Sequence, residues 1–454
     1  MGAYEQFNFK SLDDLNNKTK ELGYDMVLDN DVSILKETVN IGSKVAPNKL
    51  AILPMEGCDS NPDGSPSELV IRRYHRFASS GAGLLWWEAC AVIEEGRANP
   101  LQMMITKENV GQFKKLLEEV NEISMRENGI KPINILQLTH SGRYSRPYTH
   151  APDALIPQRD ALLDGRTGIV DDSRIITDEY LDNLKQYYVN SAKLAMEAGF
   201  DGVDMKSCHR YLLSELLAGF NRPGKYGGSF ENRSRFARET MTLLRSEMPK
   251  DFILASRVSM FDAHPYPYGF GCDKEDMWKL DLSEPKKLVK MLCDAGVDLL
   301  CASAGNPYYI YPQVNRPFDT PSEGIPTPTE HPIDSAMRLF SLTRAAQEVA
   351  GDIPVIGCAY SWFREYLGNV GAHSIAKGDC QMVGLGRMAF AYPTMPRCIL
   401  NDNQVDSKKV CVTCSRCTVI MRNHGRTGCV IRDGATYAPL YEEAAADAKA
   451  RSKQ

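Results

Sequence analysis

The chain has 454 residues, 43% apolar and 24% charged, with a net charge of −5 at neutral pH. That composition suits a globular protein and offers no electrostatic attraction to nucleic acid or to an anionic membrane surface. No run approaches the ~20 apolar residues of a membrane span, and Met1–Leu12 lacks the apolar core of a secretion signal. Most of its 13 cysteines are scattered without a disulfide framework, so a reducing cytoplasm is the expected compartment.

In chain order, the residues before Asn48 are expected to form a small helix and a bottom cap. Short β-rich apolar runs follow at Leu50–Met55, Gly83–Val92, Ile133–Thr139, Asp201–Lys206, Phe252–Ser259, Val297–Ser303, Pro354–Gly357 and Gln381–Leu385. Amphipathic helical patterns separate them, at Ser67–Ser80, Lys107–Arg126, Asp178–Ala198, Phe236–Met248, Glu284–Ala295 and Asp334–Ala350. Eight strand–helix units in one run predict an α/β fold, a closed (β/α)8 TIM barrel over residues 1–400 rather than an open doubly wound sheet. The connections after strands three to six are long, and in a barrel they project from the C-terminal face, where active sites sit. Residues 401–454 are expected as a small C-terminal appendage, too short after Cys429 for another nucleotide-binding domain.

That appendage holds Cys411, Cys414, Cys417 and Cys429, a C-x2-C-x2-C-x11-C run. Three thiolates at three-residue spacing plus one distant thiolate suit a [4Fe–4S] cluster. A structural zinc more often takes two separated C-x2-C pairs or adds histidines, and zinc or unliganded cysteines are the alternatives.

Strand three ends in Gln137-Leu-Thr-His-Ser-Gly-Arg143. The fourth unit reads Gly199-Phe-Asp-Gly-Val-Asp-Met-Lys-Ser-Cys-His-Arg-Tyr-Leu-Leu and continues to Tyr226-Gly-Gly-Ser-Phe-Glu-Asn-Arg-Ser-Arg-Phe. These stretches resemble the FMN-dependent old yellow enzyme superfamily over about Asn48–Cys429. With the cysteine run, the resemblance narrows to the branch that includes 2,4-dienoyl-CoA reductase and trimethylamine dehydrogenase. It implies a barrel holding FMN on its C-terminal face, with the cluster nearby.

The resemblance also implies residue roles. Pro54 and Met55 lie beneath the flavin ring, Ala89 faces its N5 side, Gln137 bonds its pyrimidine edge, and Arg257 stands near N1–C2=O. Gly357, Gly386 and Arg387 fall where barrels bind phosphate. The pattern Gly384-Leu-Gly-Arg-Met-Ala389 fits a dinucleotide fingerprint by letter only, because no βαβ unit follows it. Tyr211 is the expected proton donor to a reduced C=C bond, and His209 polarises or orients the substrate. Glu231, Asn232, Arg233 and Arg235 are expected to brace a loop against a helix.

Two positions depart from the family pattern. Lys206 stands where relatives commonly carry His, and Glu56 where they carry Thr or Cys beside the flavin. Both end strands on one face, so an ion pair between them is expected, with contact to an acidic substrate group as the alternative role for Lys206. Cys58 is out of register for a covalent flavin link, and Cys90 and Cys208 are expected to be packing residues.

The expected activity is reduction of an enoate, enone or enoyl thioester, with electrons from NAD(P)H or from a ferredoxin or flavoprotein partner. A homo-oligomer is compatible with the sequence. Rival expectations are an amine or alcohol dehydrogenase running electrons outward and a non-catalytic electron-transfer subunit. Trp86, Trp87, Tyr308, Tyr309 and Tyr311 would supply an aromatic bowl for an ammonium substrate.

Overall fold

A computed structural model describes residues 4–307, 311–322 and 325–451. Eight parallel strands close a barrel: Leu50–Ile52, Leu84–Ala91, Ile133–Thr139, Gly202–Met205, Ile253–Ser259, Leu299–Ser303, Val355–Gly357 and Met382–Leu385. The last strand pairs with the first through Val383–Leu50 and Leu385–Ile52, so no edge is left open. Strand two is buried at every position from Leu84 to Ala91, as expected where one face fills the barrel and the other meets helices.

The intervening helices follow from capping chemistry as well as apolar periodicity. Ser67 accepts from the Val70 amide at the start of Glu68–Ala78, and Thr177 accepts from the Tyr180 amide at the start of Asp178–Ala198. Asp178–Ala198 stops at Gly199, whose φ of 95° is the left-handed cap that glycine adopts without strain.

Two details depart from the sequence expectation. Strand one ends at Ile52, because Leu53 donates the last rung to the Leu385 carbonyl and Pro54 has no N–H to continue it. The N-terminal segment contains not only the helix Leu12–Glu21 but also an antiparallel hairpin, Val39–Ile41 with Lys44–Ala46. Lys44 pairs with Asp201 at 2.6 Å, just before strand four, which puts the hairpin at the bottom of the barrel. Among the described residues, no helix is long and apolar enough to cross a membrane.

The C-terminal segment folds back onto the barrel top. Its helices are Arg416–Arg422 and Gly434–Arg451. Asp433 pairs with Arg72 at 2.8 Å and with Arg76, Thr413 donates to buried Asp319 at 2.9 Å, and the Thr427 amide donates to the Gly57 carbonyl at 2.7 Å.

Candidate active site

The C-terminal ends of the strands enclose a cavity with about 1040 Å3 of empty space, counted out to its open mouth. Pro54, Met55 and Glu56 enter it beyond strand one, Gln137 from strand three, and Lys206 beyond strand four. His209 and Tyr211 come from the loop after strand four, Arg257 from strand five, and Gly386 and Arg387 from the turn after strand eight.

Ala89 and Gly357 do not line this cavity. Ala89 is buried at the point where strand two slips register against strand three. A side chain at Gly357 would come within 2.7 Å of the Tyr360 hydroxyl, so that glycine accommodates core packing. Gly384 is likewise a packing position, pressed against Leu53 and the Gly357 carbonyl.

Glu56 is set by a rigid loop. Arg73 forms a two-bond ion pair with Asp59, both at 2.7 Å, and reaches Glu88 at 2.5 Å, while Glu88 accepts from the Gly57 amide at 2.7 Å. Burial and the neighbouring Asp59 push the Glu88 carboxyl up to about 7, against the pull of Arg73. Thus anchored, Glu56 accepts from Gln102 at 2.8 Å and from the Tyr211 hydroxyl at 3.4 Å.

Burial makes the Glu56 carboxyl a weaker acid than usual and the Lys206 ammonium a stronger one, and each charge partly offsets the shift of the other. The expected direct ion pair does not form: among the described residues, Lys206 Nζ has no Glu56 carboxylate oxygen within 4.0 Å. Lys206 instead places its Nζ 3.8 Å from the centre of the Tyr211 ring.

His209 and Arg210 both have positive φ, 64° and 62°, which is costly for residues with a side chain. Buried electrostatics hold them there. Arg210 pairs with Asp160 at 3.1 Å and Asp262 at 3.3 Å, and donates to the Tyr268 carbonyl. His209 Nε2 lies 2.8 Å from Ser303 Oγ, and its amide donates to Ser259 Oγ at 3.1 Å. Burial, followed by the charges of Arg257, Lys206 and Arg316, pushes this imidazole far below its ordinary value, so it is neutral.

Behind the cavity floor, fully buried Asp204 accepts from Gln137 at 2.6 Å, Trp86 at 3.0 Å and the Arg257 amide at 2.9 Å. The acid therefore fixes both Gln137 and the Arg257 backbone, a role the sequence reading missed. Also missed were Arg316, in the loop after strand six, and Ser361, after strand seven, both of which line the cavity. An arginine between prolines in a long C-terminal-face loop was the available signal for Arg316.

Trp86 and Trp87 are core residues: Trp86 donates to Asp204, and Trp87 stacks on Tyr74 with ring centres 3.7 Å apart. Tyr311 packs on Trp278, with ring centres 4.6 Å apart, while Tyr308 and Tyr309 lie outside the described residues. Arg233 bonds the Gly228 carbonyl at 2.9 Å and Glu284 at 2.7 Å, and Arg235 bonds Asn232 at 2.7 Å, which is the brace expected of that stretch. Buried Cys58 lies 3.7 Å from Glu56, and Cys90 and Cys208 are buried.

Cys411, Cys414, Cys417 and Cys429 surround one small cavity, and Cys417 also lines the large one. Among the described residues, no three His, Cys, Asp or Glu side chains converge closely enough to hold a single metal ion. Arg387 faces both cavities.

Residues 35–271 match the NADH:flavin oxidoreductase / NADH oxidase family. An NADH oxidase of Thermoanaerobacter brockii is 27% identical over 383 residues, covering 83% of this chain and 52% of that protein. A cinnamate reductase of Clostridium sporogenes is 25% identical over 422 residues, covering 88% and 57%. The chain thus spans little more than half the length of these relatives.

A structure of 2-naphthoyl-CoA reductase with 2-naphthoyl-CoA matches with a TM-score of 0.71 at 19% identity, covering 88% of this chain and 57% of that one. Histamine dehydrogenase from Rhizobium sp. 4-9 matches at 0.66 and 19%, covering 91% and 53%. These two likenesses establish the fold.

Proposed function

The chain belongs to the NADH:flavin oxidoreductase / NADH oxidase family, and from that premise we propose that it is an FMN-dependent enzyme reducing a C=C bond activated by a carbonyl or carboxyl group. A [4Fe–4S] cluster on Cys411, Cys414, Cys417 and Cys429 would relay electrons.

The cavity suits FMN on the chemistry of its donors. Among the described residues, Arg257 Nε, Arg316 Nε and Nη2, and Arg387 Nη1 are buried donors that meet no protein acceptor, and all three side chains line the cavity. Arg316 is pushed down to about 9 by burial and then by the charges of Arg387 and Arg422. Such crowding of cations suits a dianionic phosphate at Arg316 and Arg387. Arg257 would hold the pyrimidine side and Gln137 its polar edge. The four thiols around one cavity suit a cluster, which is bulkier than a single ion, and Cys417 places that cavity against the large one. Bound FMN would supply the two reducing electrons and the cluster a route for single electrons.

The observation that carries the reading is the position of Tyr211. Its phenol opens into the cavity beside Glu56, from the same loop that presents His209. Tyr211 supplies a proton to one carbon of the double bond, and neutral His209, its ring plane fixed by Ser303, orients the activating group. Lys206 adds positive charge where the reduced site becomes more negative. The same cation opposes an ammonium substrate, which disfavours the amine dehydrogenase reading.

Electrons come from NAD(P)H in the open cavity or from a ferredoxin or flavoprotein partner. The test is anaerobic purification with flavin, iron and sulfide assays. The visible spectrum is then recorded with NADH, NADPH and dithionite in turn, before addition of enoates, enones and enoyl thioesters. Flavin that reoxidises on adding an alkene supports the reading. A reduced, FMN-loaded protein inert to all three classes overturns it.

A further inference from the structure

Beyond Glu56 lies a second cavity with about 810 Å3 of empty space, counted out to its mouth. Glu56 and Met421 line both cavities, so the Glu56 carboxyl is part of the wall between them. One of its oxygens accepts from the Tyr211 hydroxyl at 3.4 Å. The other accepts from Gln102 at 2.8 Å and lies 3.7 Å from Cys58 Sγ. The second cavity reaches the surface at exposed Arg166 and passes half-buried Arg146, Arg422 and His424, with Asn99, Thr167 and Tyr144 as further polar lining. A polar space of this size admits water. The carboxyl therefore meets the phenol on one side and a solvent path on the other.

Alkene reduction of the kind proposed above takes one proton from Tyr211 in each turnover and leaves a tyrosinate. In water a phenol holds its proton about 10⁵-fold more tightly than a carboxyl does, so transfer from a neutral Glu56 to that tyrosinate runs downhill. Burial favours the proton-carrying form of Glu56, while Lys206 and then the hydrogen bonds from Cys58 and Tyr211 favour the anion. Arg146, Arg166 and Arg422 stand across the second cavity, and His424 there is pushed down to about 4 by burial, then by Arg146, His150 and Arg451.

The geometry points to Glu56 as the group that returns the proton to Tyr211, fed from solvent through the second cavity. The inference rests on the proposed alkene reduction, with Tyr211 as proton source. As the Glu56 O–H bond breaks, the Tyr211 O–H bond re-forms; the carboxylate left behind then takes a proton from water or buffer. No electrons move in either transfer.

E56Q keeps the shape and an oxygen that accepts from Tyr211, but has no acid proton to give; flavin content checks its fold. The FMN-loaded holoprotein, with excess dithionite, is mixed with cinnamate, methyl cinnamate or cinnamoyl-CoA, and quench-flow counts product per flavin. The first turnover draws on the proton Tyr211 already holds. In E56Q it should keep the wild-type rate within about twofold, while later turnovers fall at least about tenfold and recover on adding imidazole, a small diffusible acid. Later turnovers at the wild-type rate overturn the relay and leave alkene reduction intact. A first turnover slowed as much as the later ones, or no recovery with imidazole, also overturns it, because Glu56 then only sets the Tyr211 hydroxyl. If none of the three alkenes is reduced, that reading of the site fails by itself and infrared spectra still decide on Glu56. A carboxylic acid C=O band that titrates between about pH 5 and 8, shifts in D2O and is missing from E56Q upholds the proton carrier, and its absence from the wild type overturns it.

Discussion

Lys206 Nζ stands 3.8 Å from the centre of the Tyr211 ring, so a buried ammonium faces the phenol that opens into the cavity. The attraction between a cation and an aromatic face strengthens as both are desolvated. Lys206 thereby fixes the Tyr211 ring while still acting on Glu56 through space. A cation and a carboxyl thus share one tyrosine on the cavity wall.

K206M removes the cation from the site. The flavin midpoint potential should become more negative, because reduction adds negative charge that Lys206 no longer offsets. Spectroelectrochemistry on the FMN-loaded variant reads this directly. A potential equal to that of the wild type would show that Lys206 acts only on Tyr211 or on substrate.

Y211F keeps the ring and removes the hydroxyl. Flavin reduction by the electron donor should proceed at its normal rate, while the alkene-dependent reoxidation slows by about 10²–10⁴. Stopped-flow traces separate the two half-reactions. Equal slowing of both would mean that Tyr211 shapes the cavity and is not the proton source.

Asp204 gives a pH dependence of stability. Burial raises its carboxyl from an ordinary 3.8 to about 6, although Gln137, the Arg257 amide and Trp86 pull the other way. The native state then binds this proton more tightly than the unfolded chain does. Its stabilising effect is complete below about pH 4 and is lost as pH rises through 6, a difference of about 3 kcal/mol. Urea titrations between pH 4 and 8 should show that slope and should show it flattened in D204N. A slope identical in the variant would assign it to other groups.

C429S removes the distant member of the cysteine set. Iron and acid-labile sulfide should fall from about four each per chain to near zero, while FMN is retained. Purified wild type carrying about one zinc per chain and no sulfide would replace the cluster with a structural zinc site.

Pattern alone determined a good part of this protein. Eight apolar runs alternating with helices point to a barrel, because eight strand–helix units in one run suit a sheet that closes on itself within a ring of helices and so buries its strands on both faces. That Tyr211, His209, Gln137 and Arg257 would line the cavity was legible because the motif around each belongs to a barrel strand or to the loop that follows it, and both lead to the C-terminal face. Spacing drew the four cysteines together for the same reason of locality.

Only the tertiary structure decided what passes between distant segments. Lys206 was expected to meet Glu56 and instead lies over Tyr211, since the Arg73–Asp59–Glu88 anchor turns Glu56 towards Gln102. Gly357 stands off the cavity against Tyr360 and Arg316 lines it, because a loop's path depends on what it packs against. Arg146, Arg166 and Arg422 share a cavity although up to 276 positions separate them in the chain. Charge at that range leaves no periodic trace in sequence, and folding alone brings it together.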